Sequence, residues 1–137
     1  MSNTLSDEVK AFLNEPRFAV LATQHANGTI QQTVMWYELR DNVIMMNTLA
    51  GRVKDGNLRR SPNASICVEN GYQFVTINGT VDFDEDVQTA RDDIYALARR
   101  YNPDFKDGDY PDFANQQRVT LNMSIDHVIT NGFGGGH

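Results

Sequence analysis

Apolar and polar positions alternate along the chain with two different periods, and the changes of period mark its elements. Val9, Phe12 and Leu13 share one helical face, while Ser6 suits the N-cap and Asp7 and Glu8 the positive end of the turn. Pro16 stops this first helix. Residues 18–23 form a near-continuous apolar run, which predicts a strand covered on both faces. Asn27-Gly28 is a hairpin turn, because both residues tolerate positive φ. Residues 29–39 then alternate, with Ile30, Gln32, Val34 and Trp36 on one face and Gln31, Thr33, Met35 and Tyr37 on the other. Asp41-Asn42 turns the chain into a third strand over 43–47. The β pattern breaks over 51–60, where a short helix is predicted, ended by Ser61-Pro62.

A fourth strand follows over 64–69, then an Asn70-Gly71 turn and a long fifth strand over 72–83, in which Gly79 marks a bulge or tight bend. Val87, Ala90, Ile94, Leu97 and Tyr101 recur at three- and four-residue spacing and predict the clearest helix. Asp84, Glu85 and Asp86 sit at its start and Arg99 and Arg100 at its end, as the helix dipole favours. A polar loop covers 102–113. The last strand spans 118–125, with Val119, Leu121, Met123 and Ile125 on one face, and a glycine-rich tail covers 131–137. Six strands in hairpin order with flanking helices predict a mainly β, α+β architecture: a six-stranded antiparallel barrel-like sheet rather than βαβ units.

Composition narrows the function. A chain of 137 residues fits a single domain over 1–137, since domains run to about 100–200 residues. The 12 Lys and Arg against 18 Asp and Glu leave a net charge of −6, which argues against nucleic acid and anionic membrane as partners. No apolar run approaches the ~20 residues that span a bilayer. Asp7, Glu8 and Lys10 interrupt the N-terminus before any long apolar stretch, so a cytoplasmic protein is expected. Cys67 has no cysteine to pair with and sits in an apolar run, as a small core residue does.

Four of the 12 basic residues fall between positions 52 and 60 of this acidic chain: Arg52, Lys54, Arg59 and Arg60. A helix N-terminus with added cationic donors suits a phosphate; a solvated basic helix face accounts for the same charges. The Gly-Lys-Ser/Thr ending of a P-loop is absent. Gln31, Gln32 and Thr33 in the central strand suit a polar partner or ligand on one face. Trp36 is either a core or interface ring or a stacking platform. Asn47-Thr48 is either a polar strand end or a hydrogen-bonding pair for a ligand. His25, His127 and His137 lack metal-ligand spacing, no metal is expected, and no nucleophile elbow anchors a hydrolase triad.

Read in order, these stretches resemble the pyridoxamine-phosphate-oxidase-like split-barrel superfamily. Within it they are most similar to the small deazaflavin-dependent (coenzyme F-420-dependent) oxidoreductases. The matching stretches are Phe18-Ala19-Val20-Leu21-Ala22-Thr23, Asn27-Gly28-Thr29, Val34-Met35-Trp36-Tyr37 and Asn47-Thr48. The most specific follows: Arg52-Val53-Lys54-Asp55-Gly56-Asn57-Leu58-Arg59-Arg60-Ser61-Pro62. Asp126-His127-Val128-Ile129 and Gly132-Phe133-Gly134 match the family's ending.

The resemblance implies an FMN-binding-type split β-barrel homodimer with two cofactor sites at the subunit interface. It implies a cofactor ring against Val34, Met35 and Trp36, with its polar edge near Gln32 and Thr33. Arg52, Lys54 and Asn57 match the positions at the cofactor's phosphate side, and Asn47 and Thr48 those beside its ribityl-type chain. Tyr72 matches an aromatic position that approaches from the partner subunit. The implied activity is hydride transfer between reduced coenzyme F-420 and a small planar or unsaturated acceptor. Alternatives on the same fold are an FMN-binding oxidoreductase and a non-enzymatic flavin or deazaflavin carrier or sensor. No side chain is assigned as a catalytic acid or base; solvent and Tyr37 are the candidate proton sources. Two departures stand out. Gln32-Thr33 occupies a region where relatives carry Pro, and Asp55-Gly56 replaces a common Ala-Arg pair, lowering the positive charge beside Lys54 and leaving room for FMN or another planar ligand such as haem.

Overall fold

The computed structural model describes residues 4–106, 109, 113 and 115–133. The end of the glycine-rich tail, with Gly134, Gly135, Gly136 and His137, lies outside the described residues, as does part of the 102–113 loop. The elements run α1 (Asp7–Asn14), β1 (Ala19–Gln24), β2 (Ile30–Met35), β3 (Glu38–Arg40), β4 (Val43–Leu49), α2 (Val53–Arg60), β5 (Asn63–Asn70), β6 (Gln73–Asp84), α3 (Val87–Tyr101), β7 (Arg118–Ser124) and β8 (His127–Asn131). The sheet therefore has eight strands among the described residues, not the six expected. The alternating run over 29–39 breaks at Trp36-Tyr37 into β2 and β3. The stretch after Asp126 adds β8, whose weak alternation gave no strand signal between the strand expected over 118–125 and the tail.

All strand pairs are antiparallel, in the order β2-β1-β5-β6-β7-β4-β3. β2 and β3 lie at opposite ends of this path, yet only Trp36 and Tyr37 separate them in sequence. A flat sheet cannot satisfy that link, so the sheet must curl until its two edges meet. The result is the split-barrel form of an α+β fold.

The closure is pinned by hydrogen bonds. The Arg100 guanidinium donates to the Tyr37 carbonyl at 2.9 Å, to those of Asn14 and Leu13 at 2.9 and 3.0 Å, and to that of Glu15 at 2.7 Å. It thereby caps the orphan carbonyls at the end of α1 while holding the link. The Tyr101 hydroxyl accepts the Tyr37 N–H at 3.1 Å and donates to the Arg17 carbonyl. Tyr37 itself is fully buried, and its hydroxyl donates to the Leu13 carbonyl at 2.8 Å. Burial pushes that hydroxyl above its ordinary pKa. It is a core anchor, not a proton source facing a ligand.

The main core lies inside the curled sheet, where Leu5, Val9, Phe12 and Leu13 of the α1 region pack on Leu21, Ile44, Met46, Ile66 and Leu121. A second cluster joins Met45 of β4 to Ile94 and Leu97 of α3 on the outer side. β4 is thus covered on both faces, which accounts for its unbroken buried run from Ile44 to Thr48. α3 begins at Val87, the first residue of its apolar pattern. Asp86 is its N-cap and accepts from Thr89 N at 2.9 Å, leaving Val87 exposed.

Gly79 sits where one edge of β6 passes from β8, paired over Phe74–Asn78, to β7, paired over Val81–Asp84. A Cβ there would stand 1.8 Å from the Ser124 carbonyl oxygen, because the chain crosses β6 at that point. Backbone cannot yield as a flexible side chain does. Gly79→Ala is therefore expected to cost about 3 kcal/mol or more, read as a fall in the urea midpoint; an unchanged midpoint would contradict the close approach.

Candidate functional site

The ends of β2, β4 and β7 meet the start of α2 and one face of α3, and two adjoining hollows open between them. The first, about 190 Å³, is lined by Thr33, Val34, Met35, Asn47, Thr48, Leu49, Arg52, Lys54 and Arg118. The second, about 290 Å³, is lined by Val34, Met35, Trp36, Asn47, Ile94, Leu97, Phe113 and Arg118. Val34, Met35, Asn47 and Arg118 border both. One cleft therefore has a cationic, polar end and an apolar, aromatic end.

Three cations converge at the polar end. Arg52 is the N-cap of α2, and no side chain caps that helix. Lys54 is the second residue of α2, in its first turn, and Arg118 opens β7, directly across the ladder from Leu49 of β4. None of the three makes an ion pair among the described residues. Burial, then the charges of Arg52 and Arg118, pull the Lys54 ammonium below its ordinary pKa. Burial and Arg52 act the same way on Arg118, which as a guanidinium remains charged. Arg118 donates to Asn47 Oδ1 at 3.2 Å and to Gln116 Oε1 at 2.8 Å, and lies over the Phe113 ring.

The rest of the basic segment is used structurally. Asp55 accepts Gly51 N–H at 2.7 Å and Arg59 Nε at 2.9 Å, and Arg59 also holds Glu85 at 2.7 Å. Arg60 donates to the Gln24 carbonyl and to Asn57 Oδ1. Thus Arg52 and Lys54 face the hollow, while Arg59 and Arg60 fasten α2 to its surroundings. Asp55 lines neither hollow, and its charge is matched by Arg59, so it does not cancel the cleft's positive charge.

At the apolar end the single tryptophan forms the wall. Trp36 stacks on Tyr101 with ring centres 5.3 Å apart, and Tyr101 stacks in turn on Phe18 at 5.5 Å. Val34 is 64% exposed, a large fraction for an apolar side chain lying between two hollows.

Of the residues singled out in the sequence, Thr33, Val34, Met35, Trp36, Asn47, Thr48, Arg52 and Lys54 come together at this cleft. Three do not line either hollow. Gln32 points outward on β2 beside Ile30 and Val34. Asn57 is buried beneath α2, donating to Thr23 Oγ1 at 3.1 Å and lying 3.4 Å from His25 Nδ1. Tyr72 stands at the β5–β6 turn, 78% exposed. Arg118, Leu49, Ile94, Leu97 and Phe113 were not anticipated. Arg118 is brought in by the β4–β7 pairing across some seventy residues of chain, a register no local pattern records.

Comparison with known proteins agrees with the fold. A family model described as pyridoxamine 5'-phosphate oxidase matches residues 5–129. A biliverdin reductase of Mycobacterium tuberculosis that depends on reduced coenzyme F-420 is 24% identical over 127 residues, covering 91% of this chain and 87% of the relative. The solved structure of an F-420 reductase superposes with a TM-score of 0.78 at 23% identity, covering 90% of this chain and 98% of that one. A conserved hypothetical protein from Mycobacterium tuberculosis superposes with a TM-score of 0.80 at 26% identity, covering 93% and 85%.

The lowered Lys54 ammonium sets a pH dependence. The protonated amine attracts an anion and the neutral one does not, so anion binding is strongest below its folded pKa. Binding of inorganic pyrophosphate should weaken as pH rises through a range below the ordinary lysine value of 10.5. Lys54→Arg should move that loss upward, measured by calorimetric titration at several pH values. An affinity flat to pH 11 in the parent chain would contradict a role for the ammonium.

Proposed function

The chain belongs to the pyridoxamine 5'-phosphate oxidase family, and we propose that it is an oxidoreductase using the deazaflavin coenzyme F-420 to reduce a small planar or unsaturated acceptor. The observation that carries this reading is the cluster of Arg52, Lys54 and Arg118, three half-buried or exposed cations with no ionic partner among the described residues, beside an apolar, aromatic hollow. Such a cluster is electrostatically costly unless an anion fills it. Three positive charges exceed what one phosphate monoester needs. They match a coenzyme whose phosphodiester continues into an anionic tail, which favours the deazaflavin over FMN. The M. tuberculosis relative, which depends on the same coenzyme, supports the assignment.

In this reading Arg52, Lys54 and Arg118 hold the phosphate end, Asn47 and Thr48 lie beside the polyol chain, and Thr33 is placed at the polar edge of the ring. Val34, Met35 and Trp36 form the wall against which the ring lies. The bound coenzyme supplies the hydride. The chain's part is to orient the ring, to exclude water with Ile94, Leu97 and Phe113, and to fix the anionic end. Tyr37 donates its proton to a backbone carbonyl inside the core, so the proton that accompanies reduction comes from solvent.

The protein is also proposed to act as a homodimer. Ile30 (58% exposed) and Val34 present apolar surface on β2, an edge strand with a free side. A second copy would cover this face, bring Gln32 into contact, and give exposed Tyr72 a neighbouring site to approach. No helix among the described residues is long and apolar enough to cross a membrane.

The test is a fluorescence titration with oxidised F-420 and, separately, with FMN, followed by oxidation of reduced F-420 across a panel of planar acceptors. Tighter F-420 binding and acceptor-dependent oxidation are expected. Binding without turnover on any acceptor would make the chain a carrier, and tighter FMN binding would overturn the coenzyme assignment. In the Arg52→Ala/Lys54→Ala double variant the affinity should fall by at least about 100-fold, since each charge-assisted hydrogen bond is worth ~1.5–3 kcal/mol. Unchanged affinity would reduce the basic segment to a solvated face.

A further inference from the structure

A chain of buried polar groups runs from the outer edge of the sheet to the cleft. Arg40 of β3 donates to Asp93 Oδ1 at 2.8 Å. The Thr120 hydroxyl of β7 donates to Asp93 Oδ2 at 2.7 Å. The Asn47 amide donates to the Ala90 carbonyl of α3 at 2.9 Å and lies 3.4 Å from Thr120 Oγ1. Asn47 Oδ1 then accepts from Arg118 Nη1 at 3.2 Å. Asn47, Thr120 and Asp93 are each buried, at 6%, 1% and 6% exposure.

The directions of these bonds are forced. An ionised carboxylate only accepts, so the Thr120 proton must point at Asp93. The Thr120 oxygen then offers only lone pairs to Asn47. The Ala90 carbonyl likewise only accepts. Both neighbours demand the NH₂ side of the Asn47 amide, and its oxygen is left facing Arg118. A flipped amide would set two carbonyl oxygens against each other and turn N–H groups toward a guanidinium.

We propose that Asp93 and Thr120 are positioning residues for anion binding: they set the polarity of the Asn47 amide and thereby hold the Arg118 guanidinium at the border of the two hollows. Neither touches the cleft. The inference rests on the reading of the polar hollow as the seat of the coenzyme's anionic end. It adds that the third cation of that seat is aimed from α3, through the Asp93 carboxylate and the Thr120 hydroxyl.

The experiment compares Thr120→Val, Thr120→Ser and Asp93→Asn with the parent chain by two readouts. The first is the NMR signal of Arg118 Nε and of the Asn47 side-chain amide without ligand. The second is the dissociation constant for oxidised F-420. Thr120→Val, which keeps the shape and loses the hydroxyl, should shift both signals and weaken binding by about tenfold, the equivalent of one hydrogen bond. Thr120→Ser should restore both. In an Arg118→Met background Thr120→Val should cause no further loss, because the two act through one contact. Asp93→Asn should repeat the Thr120→Val result where it folds. Unmoved Arg118 and Asn47 signals in Thr120→Val, or additive losses in the Arg118→Met background, would overturn the inference. Should the parent chain bind no F-420, the functional reading fails, and the ligand-free signals still decide whether the relay exists.

Discussion

Closure of the sheet depends on a single guanidinium. Arg100 satisfies four carbonyls from two segments, three at the end of α1 and one in the Trp36-Tyr37 link. The Leu13 and Tyr37 contacts are part-buried, where water reaches a carbonyl poorly, and those to Asn14 and Glu15 are exposed. The bond to Tyr37 fixes where β2 ends and β3 begins. Because Val34, Met35 and Trp36 immediately precede that point, the wall of the cleft is set by the same contact. Tyr101, the next residue in α3, stacks on Trp36 and receives the Tyr37 N–H. One turn of helix therefore both closes the barrel and sites the aromatic end of the cleft.

The polar end shows the opposite economy. Among the described residues three other cations form ion pairs: Arg17 with Glu15, Arg40 with Glu38 and Asp93, Arg59 with Asp55 and Glu85. Arg52, Lys54 and Arg118 have no such partner among the described residues; burial first, and then the charges of Arg52 and Arg118, disfavour the charged form of Lys54. Local choices that disagree with stability are concentrated at functional sites. Among the described residues no carboxylate lines either hollow or pairs with this cluster.

The fold class, the three helices and most strand positions were legible in the sequence, because periodicity and turn chemistry are local. Gly79 was legible as a bend. Its reason was not, since Ser124 approaches from across the sheet. The extra strands escaped for different reasons. Trp36 and Tyr37 continue the alternation of β2 though the chain turns there, and β8 carries only Val128 and Ile129 as apolar residues. In the site, Arg52 and Lys54 stood out by charge density, and Asn47 and Thr48 as a polar strand end to which the resemblance gave a role. Asn57 was placed by the same resemblance, yet its amide is committed to Thr23 beneath the helix. Arg118 and the groups behind it were invisible, since a register between β4 and β7 and the packing of α3 put them in place.

Trp36 has one further consequence. It is the only indole in the chain, and its ring is clamped on Tyr101 at an interplanar angle of 10° while its other surroundings belong to the cleft. Its near-ultraviolet emission is therefore a reporter of what occupies the apolar hollow, with Tyr101 as a fixed neighbour for energy transfer. The protein carries an intrinsic optical probe in the wall of its apolar hollow.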